Sequence, residues 1–194
     1  QAGGTWLGVH RSGRLAALTN HRDLRRPMRQ GPSRGGLVHQ ALQQAPALQE
    51  AERYEGFNLL HGTLDELRCF SNVNGTEVAL TPGIHGLSNA FLNSPWPKVQ
   101  RATEGLSAIL QRAPATWTEA LFSLLKDDRT AAPHLLPDTG LPPAQEEALS
   151  SIHIDLPHYG TRCSTVLLVD QQGAVTFVER TWPTGSEVRE GFTL

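Results

Sequence analysis

The chain has 194 residues, of which 39% are hydrophobic, 19% charged and 6% aromatic, and a formal net charge of −2. These values suit one ordinary globular domain over residues 1–194 and exclude a disordered or fibrous chain. The slight negative charge argues against nucleic acid as the main partner, and no apolar run approaches the roughly 18–20 residues that span a bilayer, so no membrane insertion is expected. Two cysteines, Cys69 and Cys163, form neither a zinc pattern nor a disulfide framework, and no secretion signal is visible at Gln1-Ala2-Gly3-Gly4. A reducing, cytoplasmic setting is therefore the expectation.

In chain order, Thr5–His10 and Arg14–Thr19 are short apolar and β-branched runs around Arg11-Ser12-Gly13 and read as a hairpin. His10–Arg34 then carries seven Arg against one acid, Asp23, a net +6 against −8 elsewhere. Arginine holds carboxylate or phosphate bidentately, so this stretch is either a solvated loop or an anion site. Ser33 can cap a helix running to about Gln49, with Leu37, Val38, Leu42, Ala45 and Leu48 at helical spacing. Phe57–His61, Leu67–Asn72 and Glu77–Leu80 follow as a meander, with Asn74-Gly75 as a type I′ turn signal. Ile84–Asn89 reads as another strand.

Ser94-Pro95-Trp96-Pro97 forces an extended passage before a helix that presents Val99, Ala102, Leu106, Ile109 and Leu110. Thr116-Trp117-Thr118-Glu119 spells a capping box opening the next helix, and Pro143 starts a short one to Ser150. Arg162–Val169 and Val175–Thr181 form a closing hairpin, and Gly191–Leu194 can add an edge strand. Strands, then helices, then strands predict an α+β fold with antiparallel sheets.

The eight His are scattered, so no metal site and no cofactor is expected. Strand alternation sets Cys163 on the packing side if Arg162 faces a pocket, and Cys69 reads as core. Asn20 and Asn89 each end an apolar run after a hydroxyl residue. They are either turn residues or paired amides of the kind that stabilise an oxyanion.

Gly3-Gly4-Thr5-Trp6-Leu7-Gly8-Val9, Ala16-Ala17-Leu18-Thr19-Asn20, Ser33-Arg34-Gly35, Gly56-Phe57-Asn58-Leu59-Leu60, Gly86-Leu87-Ser88-Asn89-Ala90, Ser94-Pro95-Trp96-Pro97-Lys98-Val99, Leu136-Pro137-Asp138-Thr139-Gly140 and Tyr159-Gly160-Thr161-Arg162 resemble, in order, the motifs of the NRDE family, also called the transport and Golgi organisation protein 2 family. The resemblance implies a four-layer αββα sandwich of the N-terminal-nucleophile (Ntn) hydrolase type and, in the complete form, a cysteine amidohydrolase acting on linear amide C–N bonds. It places Asn20 and Asn89 as oxyanion-stabilising amides and Arg162 as an active-site arginine on a late strand. Thr5 and Trp6 would wall the same pocket, with Trp6 as plain core the alternative. Arg22 and Arg34 are among the arginines that would meet the carboxylate of an acidic small-molecule substrate. The family's Met-Cys and Asn-Arg-Asp-Glu segment precedes these motifs, so the chain is expected to be N-terminally truncated and, as it stands, inactive. The other function the resemblance allows is non-enzymatic binding or trafficking of haem or lipid.

Overall fold

The computed structural model describes residues 3–194 and divides into two compact units between Ser94 and Pro95. In the first, β1 (Leu7–Val9), β2 (Arg14–Asn20), β3 (Phe57–Thr63), β4 (Leu67–Ser71) and β5 (Thr76–Ala79) form one antiparallel sheet in sequence order. Helix α1 (Gly35–Gln43) and a 3-10 turn (Leu48–Arg53) come between β2 and β3. The period-2 alternation of the strands decides which residues meet the helix. Ala16 and Leu18 of β2, Phe57 and Leu59 of β3 and Phe70 of β4 form one buried cluster with Leu37, Val38 and Ala41 of α1. Phe57, Leu59 and Val38 are fully inaccessible, and each such burial contributes about 1.5–3 kcal/mol.

Helix α1 is shorter than its apolar spacing predicts, and its first turn has no side-chain cap, so Ser33 does not cap it. Gln44 is already extended, two residues before Pro46, and Arg14 donates from Nε to the Ala41 carbonyl and from Nη2 to that of Gln44. An arginine satisfying the terminal carbonyls completes the helix where proline would block its continuation. Gly4 and Gly35 explain each other. A Cβ on Gly4 would lie 2.6 Å from the Gly35 backbone, so the segment before β1 can pass the start of α1 only with glycine at the contact.

Two other expectations are corrected in this unit. Four residues, 72–75, join β4 to β5, and only Gly75 of the Asn74-Gly75 pair has positive φ (+68°), which rules out the type I′ turn. Asn74 instead accepts at Oδ1 from the amide and hydroxyl of Thr76. Ile84–Asn89 is irregular rather than a strand.

In the second unit, β8 (Cys163–Val169), β9 (Ala174–Thr181) and β10 (Glu187–Thr193) form an antiparallel sheet in the order β10-β9-β8. The edge strand at the C-terminus is longer than expected. A two-stranded ribbon, β6 (Asp155–Leu156) with β7 (Tyr159–Gly160), precedes it, and the helices are α2 (Pro97–Leu110), α3 (Trp117–Leu125) and α4 (Pro143–Ala148). Phe122 of α3 is buried with Val166 and Val178, and Leu121, Leu125 and Leu168 close around them. The capping box does not form, because Thr116 is in αR conformation and its hydroxyl donates to the Ala113 carbonyl. In the Leu136–Gly140 motif, Thr139 donates from its amide and hydroxyl to one carboxylate oxygen of buried Glu146 in α4.

Asp127, just beyond α3, ties this unit together. Its side chain is 8% exposed and accepts from Arg129 and from Arg101 of α2, and Arg129 above all holds the carboxyl down at about 2. A carboxylate with its folded pKa below the usual 3.8 adds stability that is fully present above pH 3.8 and lost as pH falls through about 2. Asp127→Asn is therefore expected to cost about 2 kcal/mol at pH 7 in chemical denaturation, with the difference from the parent closing as acid is added.

Together the units make an α+β fold of antiparallel sheets. No helix among the described residues is long and apolar enough to cross a membrane.

Candidate functional site

Asn20 ends β2 on the same face as Ala16 and Leu18, where alternation would place another apolar residue. Its neighbours along that edge of β2 explain how Asn89, 69 positions later, reaches it. Leu18 N–H donates to the Trp6 carbonyl. Beyond it, where β1 no longer reaches, Asn89 takes over the edge. Asn89 Nδ2 donates to the Asn20 carbonyl at 3.0 Å, and Arg22 N–H donates to the Asn89 carbonyl at 2.7 Å. The structure thus joins the two asparagines that matching sequence contexts singled out.

Asn58 belongs with them, and sequence reasoning did not single it out. It is fully buried on the opposite face of β3 from Phe57 and Leu59, paired with Thr19. Its Nδ2 donates to Thr19 Oγ1 (3.1 Å) and to the Ala90 carbonyl (2.8 Å), so it fixes the backbone next to Asn89. The signal was an amide in the middle of an apolar strand, Phe57-Asn58-Leu59-Leu60. Three buried polar atoms here, Asn20 Oδ1, Asn58 Oδ1 and His21 Nδ1, have no hydrogen-bond partner among the described residues. Each such atom costs about 1–3 kcal/mol, so their concentration at one strand end is a feature to be explained rather than background. His21 packs against Phe91 with the rings tilted by 49° and centroids 4.8 Å apart, and burial pushes its pKa down.

The other expected site residues are placed as follows. Thr5 is exposed and its hydroxyl donates to the Leu7 carbonyl. Trp6 is 55% exposed, which corrects the core alternative. Arg34 Nη1 donates to the Gly56 carbonyl at 2.9 Å, binding the start of α1 to the strand-end loop, and burial lowers its pKa. Arg22 is half-buried next to Asn20 and His21.

The arginine-rich loop turns onto its own chain. Arg25 pairs with Asp23, Arg29 donates to the Glu52 carbonyl and to the Glu55 carboxylate, and Arg26 reaches the Val73 carbonyl. The space it encloses with His21, Glu55 and Asn72, about 40 Å³, suits a water molecule or two.

Arg162 lies in the second unit, just before β8, and lines a separate cavity with Lys126, His153 and Trp182. Cys163 is exposed rather than packed, and partial desolvation of its thiol together with the Glu179 charge raises its pKa despite Arg162. That opposes thiolate formation. Cys69 is buried as expected, and burial pushes its thiol up to about 11.

Residues 1–184 match the family model described as Transport and Golgi organisation 2. The chain is 33% identical over 199 residues to the human Transport and Golgi organization protein 2 homolog, across 92% of this chain and 72% of that protein, and 34% identical to the bovine homolog over the same shares. The Drosophila melanogaster Transport and Golgi organization protein 2 is 28% identical over 205 residues. With a family model spanning nearly all of its length and relatives at one-third identity, the chain belongs to the Transport and Golgi organisation 2 family.

Proposed function

We propose that the complete protein has an Ntn-type αββα fold and is a cysteine amidohydrolase cleaving a linear amide C–N bond in a small, acidic substrate. Each unit by itself packs helix on antiparallel sheet, which is compatible with that fold. The observation that carries the reading is the junction of Asn20 and Asn89. Asn20 Oδ1 is buried without a hydrogen-bond partner among the described residues, and one Nδ2 hydrogen of Asn89 is held by the Asn20 carbonyl, which aims the Asn89 amide and leaves its second hydrogen for another acceptor.

The chemistry follows the Ntn pattern. The thiolate of an N-terminal Cys ahead of Gly3 attacks the amide carbonyl, and its α-amine takes the thiol proton. The carbonyl oxygen gains the negative charge, which the Asn20 and Asn89 amides stabilise. The C–N bond then breaks as the amine passes its proton to the leaving nitrogen, and water hydrolyses the thioester.

Incubating the protein, expressed from its native start, with a panel of N-acyl amides tests the proposal through amine release. Time-dependent release that is lost when the N-terminal Cys is replaced by Ala is the expected result. No release across the panel, alongside a saturable Soret shift on haem titration, would overturn it in favour of ligand carriage.

A further inference from the structure

The second unit carries a binding site that the amidohydrolase reading does not require. A cavity of about 470 Å³ is walled by Lys126 at the end of α3, His153, Leu156 and Tyr159 of the β6–β7 ribbon, Arg162 and Trp182. That volume is in the range of small-molecule sites.

Its walls are pinned. Trp182 donates from Nε1 to Ser164 Oγ (3.1 Å) and from its backbone amide to the Arg162 carbonyl (2.7 Å). His153 N–H donates to the carbonyl of Asp127, whose carboxylate is clamped by Arg101 and Arg129, and its ring meets the Trp182 indole edge-on with centroids 5.4 Å apart. Lys126 Nζ lies 5.3 Å from the indole centroid. The ribbon is closed at its base, where Ile154 and Thr161 exchange hydrogen bonds of 3.0 and 2.8 Å.

The charges in this cavity go against the composition of the unit. Residues 95–194 hold 8 Lys and Arg against 12 Asp and Glu, so carboxylates are in excess. Arg101, Arg129, Arg180 and Arg189 all lie against carboxylates. Lys126 and Arg162 make no ion pair among the described residues, although they line the same cavity, and Asp155 is its one lining carboxylate. His153 Nδ1 is buried there without a hydrogen-bond partner among the described residues. Leu156 and Tyr159 also line an adjoining apolar cavity of about 360 Å³ with Ala144, Ala148 and Leu149. Cationic groups at one end, an indole face beside them and an apolar continuation define an amphipathic anion.

We propose that this cavity binds a small arylalkyl carboxylate, with its head group on Arg162 and Lys126 and its ring along Trp182, Tyr159 and Leu156. Binding needs no nucleophile, so it is read on the chain as it stands, and a failed acylation leaves it intact.

The test is isothermal titration with 4-phenylbutyrate, 4-phenylbutan-1-ol and inorganic phosphate against the parent chain, Arg162→Gln, Lys126→Gln and the control Arg112→Gln. Arg112 is an exposed cation of the same unit outside the cavity lining. Thermal unfolding confirms that each variant folds. The carboxylate is expected to bind with a one-to-one stoichiometry, the alcohol at least about 10-fold more weakly, and each cavity variant about 10-fold more weakly with Arg112→Gln unchanged. Phosphate, lacking the apolar body, should bind more weakly than the carboxylate. The proposal is overturned by no binding, by equal affinity for acid and alcohol, by phosphate binding as tightly as the carboxylate, or by both cavity variants staying within twofold of the parent.

Discussion

Asn89→Ala is expected to lower amide turnover about 10²-fold, the loss that follows removal of one oxyanion donor. Two effects combine in that figure. The substitution removes an amide hydrogen from the developing charge, and it removes the bond from Nδ2 to the Asn20 carbonyl that holds the two asparagines in register. The second effect is structural and costs about 1 kcal/mol in denaturation. The backbone link from Arg22 N–H to the Asn89 carbonyl survives truncation of the side chain, so the segment stays in place. Kinetics and stability therefore separate the roles. A kcat that falls about 10²-fold with KM little changed marks an interaction made in the transition state, whereas a variant that loses stability but keeps turnover within threefold would reduce Asn89 to a loop clasp.

Asn58→Ala should give the largest loss of stability outside the apolar core, about 2–4 kcal/mol in urea denaturation. The side chain is fully buried, and its amide nitrogen serves both Thr19 Oγ1 and the Ala90 carbonyl. Truncation leaves a void and strands a partly buried carbonyl that has lost its donor. Asn58→Asp should be worse, because a carboxylate at the same position faces the Ala90 carbonyl with no hydrogen to give when ionised. Loss of less than about 1 kcal/mol in Asn58→Ala would mean that the 84–94 segment is held by other contacts.

Much of the fold is legible in the sequence wherever one face of a strand is buried. Ala16 with Leu18 and Phe57 with Leu59 recur at period two on the face that meets α1, and Val166 with Leu168 does the same in the second sheet. The helix spacing around Leu37 is equally clear, but it continues through Leu42 to Leu48 across a chain that has already turned extended at Gln44. Leu42 and Leu48 pack on the same core from different local structures, so periodicity alone could not show the break, which Pro46 and the Arg14 clasp impose. The Thr116 capping box failed for a similar reason: a preceding 3-10 turn had already fixed the residue in a helical conformation.

The candidate site was legible only in part. Asn20 and Asn89 stood out because both end apolar runs after a hydroxyl residue, and their pairing needed only that the second run come alongside the first. Asn58 has partners 39 and 32 residues away in the chain, and no local pattern encodes them. The Lys126, His153, Arg162 and Trp182 cavity draws on α3, the ribbon and the ends of β8 and β9, with no spacing motif among them. Arg162 was visible through its resemblance to a family motif, and its surroundings were not.

The central claim is that Asn20 and Asn89 serve an acyl transfer onto an N-terminal cysteine. The most direct test is the intact mass of the protein, expressed from its native start, after acid quench during turnover of an N-acyl amide. A mass increase equal to the acyl group, mapped to the N-terminal Cys and diminished in Asn89→Ala, is the result expected. Unmodified protein at every quench time, under conditions in which the same amide saturates the chain in a binding assay, would contradict the claim.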